Sequence, residues 1–248
     1  MAARDWSAVA ADLEALPNDV ISFVGVTDPF GDYSKPMLDR TFPDLVARYK
    51  EHHIVESARW NGGSRHHRYY ARRASKFVHV YLAGRPSDYS EAWLSLAQTL
   101  AKRHSIRGIG GFSENAYRKQ LAIPGAHLFL AETGAEIVAG QIWIVSESGA
   151  YSHATASSER GYAVRASYAL YAAAIDHLSR TVPFLDLGAS PDQGHGSGLE
   201  AFKAGWATTT RPVFLCGRIL NEPAYSALSA RVPPDVRYFP RYRAAEER

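Results

Sequence analysis

Residues 127–156 read HLFLAETGAEIVAGQIWIVSESGAYSHATA and predict three consecutive β-strands. The first two, 127–131 and 136–145, are rich in β-branched and large apolar side chains, and a Thr-Gly turn separates them. A second turn of serine and glycine precedes the third strand, 150–156. Both connections are too short for a crossover, so we expect an antiparallel meander.

After the meander, the chain alternates helices and strands. Residues 164–180 carry alanine or leucine at every fourth position, which predicts a helix with one face packed on a sheet. Residues 183–187 predict a buried strand, 199–206 a short helix and 211–218 a last strand. The predicted order from the meander onward is therefore β-β-β-α-β-α-β.

The first half of the chain is less regular. Apolar periodicity and turn residues predict helices over 5–16, 42–50, 64–77 and 90–104, and strands over 20–26, 54–56 and 78–82. Ser64 is the expected N-cap of the third of these helices. After the last strand, a further short helix is expected over 224–230.

Basic residues are concentrated in the predicted helix 64–77. The formal net charge is only +3, but no acidic residue lies between Glu56 and Asp88. The basic residues that share one face of this helix are Arg65, Arg68, Arg72, Arg73 and Lys76. This cluster favours a phosphate-bearing partner, such as tRNA, the 3′-phosphate of CoA, a nucleotide-linked sugar or anionic lipid headgroups, over an ordinary solvated face.

Composition restricts the class of protein. Apolar residues make up 46% of the 248 residues and aromatic residues 12%, which is enough for a packed core. No apolar run approaches the roughly 20 residues of a membrane-spanning helix, and the first 16 residues lack a secretory signal pattern. Cys216 is the only cysteine, which excludes an intramolecular disulfide; we expect it to be buried and inert. These features favour a cytoplasmic enzyme.

Four segments resemble the Fem-type branch of the GNAT acyltransferases. They are YSHA at 151–154, YAL at 168–170, FLDLG at 184–188 and GLEAFK at 198–203. In that branch, a Tyr-x-His strand, an Asp-Leu-Gly strand end and a Phe-Lys helix follow one another in this order. The resemblance is clear over about residues 64–218 and weak before Trp60.

The resemblance implies an α+β (α/β) fold, with a GNAT-like mixed, mostly antiparallel twisted sheet flanked by helices. It also implies a division into three parts. We expect residues 1–63 to form an N-terminal lobe that is a reduced first GNAT half, residues 64–220 to form the acyltransferase core, and residues 221–248 to form a C-terminal extension.

The activity that the resemblance implies is N-acyl transfer. The preferred reading is direct transfer from acyl-CoA, a co-substrate and not a bound cofactor, to an amine of a small molecule, amino sugar or lipid precursor. One alternative is a Fem-like transferase that uses aminoacyl-tRNA to add an amino acid to a peptide or natural product. Another is an inactive GNAT-like module that binds nucleic acid. The oligomeric state is left open.

The expected donor-binding segment is ERGYAV, which begins at Glu159 and lies where GNAT proteins carry an Arg/Gln-x-x-Gly-x-Gly/Ala diphosphate loop. It keeps a glycine but departs from the full pattern, which puts CoA in doubt as the donor. Small residues would allow close approach, arginines would add charge, and the following helix would direct amides at phosphate. The expected donor contacts are Arg160, Gly161, Ala163, Val164 and Arg165. The alternative is an ordinary helix start.

The expected catalytic residues lie on the strands beside this segment. His153, on the same side of its strand as Tyr151, could accept the amine proton, or it could be a satisfied core histidine. Asp186 lies in an apolar strand, where it could act as a base, orient His153 or Tyr151, or form a structural ion pair with an arginine. The resemblance implies that Lys203 contacts the donor phosphate or stabilises an oxyanion; the alternative is a surface lysine.

Acceptor contacts are expected from the glycine-rich loop 189–198 and its surroundings. Asp192 and His195 in this loop are candidates, together with Tyr168 on the long helix. Arg68 and Arg72 on the basic helix are the further substrate contacts. The histidines show no metal-ligand spacing, and no metal is expected.

Overall fold

The structure is a computed structural model that describes residues 3–105, 112–190, 198–233 and 235–247. The chain divides into two compact units. One contains Met1–Glu51 and Arg211–Arg248, and the other contains His52–Thr210. The division into lobe, core and extension expected from the sequence stays a prediction. Within the described part of the chain, no helix has the length and apolar character needed to cross a membrane.

The first unit contains the antiparallel pair β1–β8 and the start of a third strand. Its helices are α1 (Val9–Glu14), α2 (Lys35–Thr41) and α9 (Glu222–Ser229), and its strands are β1 (Ser22–Val26), the first part of β2 (Leu45–Glu56) and most of β8 (Thr209–Ile219). Ser22 lies opposite Ile219 in the β1–β8 pair. Cys216 is buried in the core of this unit, as expected, and burial raises the pKa of its thiol to about 11. The thiol is therefore protonated near neutral pH.

The second unit contains the mixed sheet. Its helices are α3 (Arg65–Ala74), α4 (Ser90–Arg103), α5 (Glu114–Leu121), α6 (Glu159–Ala163), α7 (Ala166–Leu178) and α8 (Gly198–Ala204), and its further strands are β3 (His79–Leu82), β4 (Ala126–Thr133), β5 (Glu136–Val145), β6 (Ala150–Ser157) and β7 (Phe184–Asp186). The strand order is β2-β7-β6-β5-β4-β3. Described neighbours are antiparallel except β6 and β7, which are parallel. The predicted mixed, mostly antiparallel sheet is confirmed.

Side-chain alternation gives this sheet two different faces. Along β4, Leu128 and Leu130 pack against α4 and α5, whereas Phe129 and Ala131 pack against α7 and α3. We call these sides the α4 face and the α7 face. Both are covered by buried apolar side chains, because β4 and β5 alternate between two cores. The predicted apolar stripe of α4 is confirmed by burial of Trp93 and its neighbours.

One secondary-structure prediction was wrong in a way that matters for the site. Most of the helix predicted over 42–50 is part of β2, and the true helix α2 ends at Thr41, two residues before Pro43, since a proline disfavours helical geometry in the residue that precedes it. The helix predicted over 164–180 is confirmed as α7, which begins after Arg165, a residue with a left-handed backbone (φ 59°). Helix α5 was missed.

Candidate active site

The sheet opens between β6 and β7. In the described part of the chain the two strands pair at two positions, the second being Tyr151 with Asp186. Beyond this point the β7 chain stays with β2, since the N–H of His53 donates to the Gly188 carbonyl over 3.1 Å. Strand β6 continues to Ser157 on β5 alone. Backbone groups of β6 on the opened side are therefore available to a ligand.

The α4 face carries the polar side chains at this opening. Leu185 of β7, Ala150 of β6 and Val55 of β2 all belong to the core of the α7 face. Side chains alternate along a strand, so Asp186 and Tyr151, the next residues on their strands, lie on the α4 face. They are direct neighbours in the parallel pairing of β6 and β7.

His52 and Asp186 form a hydrogen-bonded pair on the α4 face. Nδ1 of His52 lies 2.8 Å from Oδ2 of Asp186, and the N–H of Gly188 donates to Oδ1 over 2.7 Å. The side chains are only 19% and 7% exposed, which holds the imidazole in one orientation. An ionised carboxylate accepts a hydrogen bond from Nδ1–H, and in that tautomer Nε2 carries the lone pair. Among the described residues, Nε2 has no hydrogen-bond partner.

Asp186 thus has different partners from those predicted. We expected it to orient His153 or Tyr151, or to pair with an arginine. Its hydrogen bonds instead go to the imidazole of His52 and the amide of Gly188. His52 escaped prediction because the first part of its strand was read as a helix and residues 51–53 were assigned to no element. Strand alternation would have separated it from His53 and placed it beside the β7 end.

His53 lies on the opposite face, within the α7 side of the sheet. Its Nε2 lies 2.7 Å from Oε1 of Glu200 on α8. His53 is buried, whereas the Glu200 side chain is 43% exposed. Nδ1 of His53 is buried without a hydrogen-bond partner among the described residues. The two adjacent histidines therefore each contact a carboxylate, but on different sides of the sheet.

Lys203 contacts the chain that follows β7. Its Nζ donates a hydrogen bond to the carbonyl of Ala189 over 2.7 Å. Gly188, with φ of +72°, lies between this carbonyl and Asp186, and a Cβ there would come 3.3 Å from Nζ. Both predicted readings of Lys203, as a donor contact and as a surface lysine, stay predictions. Lys203 holds the turn that supplies the Gly188 amide to Asp186.

His153 occupies a β-bulge in β6. Ser152 lies opposite Trp143, and Ala154 lies opposite Ile142, so His153 has no partner on β5. Its ring lies 6.1 Å from that of Phe112, and loss of water around it lowers the pKa of His153 although the residue as a whole is exposed. It is neutral near pH 7, as a base must be. Tyr151, two residues earlier, contacts the hydroxyl of Ser148 over 2.9 Å.

The predicted donor segment is a short helix with its amides already engaged. The N–H of Gly161 donates to Ser158 Oγ, and those of Tyr162, Val164 and Arg165 donate to carbonyls within the same turn. A Cβ at Gly161 would come 2.2 Å from the Val138 carbonyl, so this glycine allows α6 to pack on β5. Packing explains the glycine without a ligand; the donor contact stays a prediction.

The arginines of this segment also have partners in the protein. Arg160 pairs with Glu136 over 2.9 Å, and the guanidinium of Arg165 lies 3.9 Å from the centre of the Tyr70 ring. Ala163 is exposed on α6 and Val164 packs against the α7-face core.

The remaining candidates are spread over the α7 face and α3. Tyr168 packs against Phe202 at 4.9 Å between ring centres, and burial raises the pKa of its hydroxyl. Arg68 and Arg72 are exposed on α3, as expected, and Arg68 donates to the Gly63 carbonyl. Asp192 and His195 lie outside the described residues. The structure therefore brings Asp186, Tyr151 and His153 to the opened α4 face but leaves Tyr168 and the arginines elsewhere.

Solved structures of known proteins share this fold. FemX is 15% identical, with a TM-score of 0.58 over 73% of this chain and 64% of FemX. The C-terminal domain of a putative lysylphosphatidylglycerol synthetase from Agrobacterium fabrum is 17% identical, with a TM-score of 0.59 over 82% of this chain and 72% of that one. L-PGS from Bacillus licheniformis is 15% identical, with a TM-score of 0.53 over 71% of this chain and 62% of that one. This chain therefore shares the fold of FemX and of these two further structures.

The likeness is one of fold. No protein-family model matches the sequence, and comparison with the curated proteins gives no significant match. The chain spans less than two thirds of the length of FemX and of L-PGS. The predicted resemblance is confirmed at the level of fold, and the open strand pair with its His52–Asp186 pair is the feature from which a function can be argued.

Proposed function

We propose that this chain is a transferase that moves an aminoacyl group from aminoacyl-tRNA to an amine. The observation that carries this proposal is the His52–Asp186 pair beside the opened edge of β6. Acyl transfer to an amine needs a proton acceptor, a polarised carbonyl and a site that holds both reactants. The α4 face at the end of β7 offers groups suited to each task.

His52 is the proposed general base. Asp186 holds Nδ1, so Nε2 accepts the proton of the attacking amine. As the new C–N bond forms, the ester C–O bond to the tRNA 3′-oxygen breaks, and the proton passes to that leaving oxygen. Asp186 keeps its negative charge and stabilises the imidazolium that forms. This replaces the sequence-based assignment of the base to His153.

The carbonyl oxygen of the donor is placed at the unpaired edge of β6. Backbone N–H groups beyond Tyr151 on the β7 side have no strand partner in the described part of the chain. Such preorganised donors stabilise negative charge that develops during attack. Lys203 donates to the Ala189 carbonyl, next to Gly188, whose N–H donates to Asp186. In this mechanism Lys203 is a positioning residue, because it acts on the His52–Asp186 pair through this turn and does not contact the reactants.

The choice of aminoacyl-tRNA over acyl-CoA is supported by α6. A CoA diphosphate in a GNAT protein would bind amides that are free at this turn. Here the amides of Gly161, Tyr162, Val164 and Arg165 are already bonded within the turn. A diphosphate would have to displace those bonds. The sequence-based preference was acyl-CoA over aminoacyl-tRNA, and we reverse this preference because of the hydrogen bonds in this turn.

The fold neighbours agree with this choice. The Fem-type resemblance implies aminoacyl-tRNA as donor, and one neighbour carries a name that refers to a lysylphosphatidylglycerol synthetase. We retain the amine acceptor that the sequence-based interpretation proposed. Its identity as a small molecule, amino sugar, peptide or lipid precursor is the open part of the proposal.

The first experiment compares donors on the purified chain. The unfolding temperature is measured with charged total tRNA, uncharged tRNA, CoA, acetyl-CoA and a long-chain acyl-CoA. A ligand at about a hundred times its dissociation constant that binds only the folded state adds about 2.7 kcal/mol. We expect charged tRNA to raise the unfolding temperature and the CoA species to leave it unchanged. A rise in unfolding temperature with a CoA species alone would mean that the donor is an acyl-CoA and not aminoacyl-tRNA.

The second experiment measures transfer. Total tRNA charged with labelled amino acids is incubated with the chain and a panel of small primary amines, and labelled amides are separated from hydrolysed amino acid. His52→Gln is the test variant and His53→Gln the matched control on the same strand. Wild type and control should form the same amides, and the test variant should not. Formation of no amide from any donor, CoA thioesters included, would overturn the transferase assignment.

A further inference from the structure

The exposed side of α3 carries cations whose charge is not balanced. Arg72, Arg73 and Lys76 are exposed, and in the described part of the chain none of them has an ion-pair partner. Exposed arginines elsewhere in this unit do pair: Arg59 with Glu56, Arg118 with Glu91. Three close positive charges without carboxylates repel one another, and an anionic partner would remove that repulsion.

Two aromatic side chains stand exposed among these cations. Tyr69 is 52% exposed and Phe77 is 54% exposed, although the opposite side of α3 is buried in the core of the α7 face. A large apolar ring left in water is informative when it lies within a cluster of one charge. We call Tyr69, Arg72, Arg73, Lys76 and Phe77 the α3 patch.

Two open basins adjoin at the α3 patch. One basin, of about 560 Å³, is lined by the five residues of the α3 patch. The other, of about 480 Å³, is lined by Ser75, Lys76, Phe77 and residues of β3 and the β4–β5 turn, including Glu132. Lys76 and Phe77 line both basins, so the basins form one continuous open surface around these two side chains.

We propose that the α3 patch docks this protein on bilayers that contain anionic phospholipids. An exposed ring can enter the boundary between headgroups and acyl chains, where aromatic side chains are stabilised. The flanking arginines and lysine then meet lipid phosphates, each contributing about a fivefold gain in partition coefficient. Both basins are open and none of their described walls closes around a single molecule, which favours an extended surface over a small ligand.

Nucleic acid is the rival partner for the same chemistry. Phosphates of RNA would also neutralise the three cations, and exposed rings can stack on unpaired bases. The exposed Phe77 favours the bilayer, because its ring has no polar group and both basins that it lines are open, so neither encloses a base. This proposal does not depend on the donor or on catalysis, and it is tested without either.

The test is co-sedimentation of the full chain with vesicles. One set contains phosphatidylcholine alone, and the other contains equal parts of phosphatidylcholine and phosphatidylglycerol. We expect binding to the second set only, weakened by salt. The variant Arg72→Gln/Arg73→Gln/Lys76→Gln should bind about 100-fold less, from about fivefold for each charge. The control Arg85→Gln/Lys102→Gln/Lys119→Gln removes the same charge elsewhere in this unit and should bind within about twofold of wild type, because charge farther than a Debye length is screened.

The aromatic contribution is tested separately. Phe77→Ser should weaken binding to the anionic vesicles about fivefold, because its ring would no longer enter the interface. Leu228→Ser removes an apolar side chain that is 50% exposed on α9 and should have no effect. Unfolding temperatures of all variants check that they fold.

Three results would overturn the proposal. They are equal binding to both vesicle types, full binding by the triple α3 variant, and no vesicle binding by a wild-type chain that binds uncharged tRNA through the same three residues. The last result would identify the α3 patch as a nucleic-acid surface. Retained vesicle binding with no transfer activity would leave the α3 patch standing and remove only the proposed function.

Discussion

His52 and His53 are neighbours in the chain, yet they lie on opposite faces of one sheet. His52 contacts Asp186 where β6 and β7 part, on the α4 face. His53 contacts Glu200 on the α7 face and is buried. Both are imidazole–carboxylate pairs at hydrogen-bond distance. The difference teaches that a carboxylate partner does not by itself mark a base; an adjoining open strand edge does, because only there can reactants approach.

Replacing His52 is the change that should separate the two pairs most clearly. We expect His52→Gln to lower kcat/KM for transfer by about 10² to 10³, since general-base catalysis contributes on this order. His53→Gln should leave kcat/KM within about threefold, because His53 faces away from the reactants. Single-turnover transfer with the active donor measures both. Equal losses in the two variants would break the distinction between the faces.

Asp186 sharpens the comparison through its coupling to His52. Asp186→Asn should lower kcat/KM by about tenfold to 10²-fold, because the amide no longer stabilises the imidazolium. The double variant His52→Gln/Asp186→Asn should lose no more than His52→Gln alone, since residues that act as a unit are not additive. Rates of the two single variants and the double variant complete the cycle. Additive losses would mean that Asp186 acts independently of His52.

The sequence predicted the scaffold of the site better than its chemistry. The meander with its two turns, the basic helix with its Ser64 cap and the strand that ends at Asp186 were all placed correctly, because turn residues and side-chain periodicity act locally. The base was not. His52 and Asp186 are 134 positions apart, and no local pattern reports such a contact.

Two further features escaped the sequence for the same reason. Helix α7 begins after Arg165, and no local pattern reports the left-handed backbone of Arg165 or the contact of its guanidinium with the Tyr70 ring. The predicted role of Gly161 was inferred from a loop pattern, whereas in the structure this glycine allows contact with the Val138 carbonyl. Both features depend on packing between elements that the sequence does not place side by side.

His67, on the α7 face, gives a test of how stability depends on pH. Burial lowers the pKa of His67 from 6.5, against the opposing effect of its hydrogen bond to the Phe202 carbonyl. The unfolded chain therefore binds more protons, and stability is full above pH 6.5 and falls as the pH decreases through the folded pKa. His153 adds a loss of the same sign.

The measurement is the free energy of unfolding by urea across this pH range. His67→Gln should reduce the slope of stability against pH, and His66→Gln, at the exposed neighbouring position, is the control that should keep it. An unchanged slope in His67→Gln would show that His67 titrates alike in the folded and unfolded chains.

Glu200 gives the smallest expected effect and the strictest check on the comparison. Its side chain is 43% exposed, so water screens its interaction with His53, and the amide oxygen of a glutamine can still accept a hydrogen bond from Nε2. We expect Glu200→Gln to cost at most about 0.5 kcal/mol of unfolding free energy and to leave transfer unchanged. Asp186→Asn is the matched substitution on the α4 face, where the carboxylate is nearly enclosed and accepts from both His52 and Gly188. Urea unfolding of the two variants compares the pairs directly, and a larger cost for Glu200→Gln would mean that the α7-face pair carries the greater constraint, contrary to the assignment of the active site to His52 and Asp186.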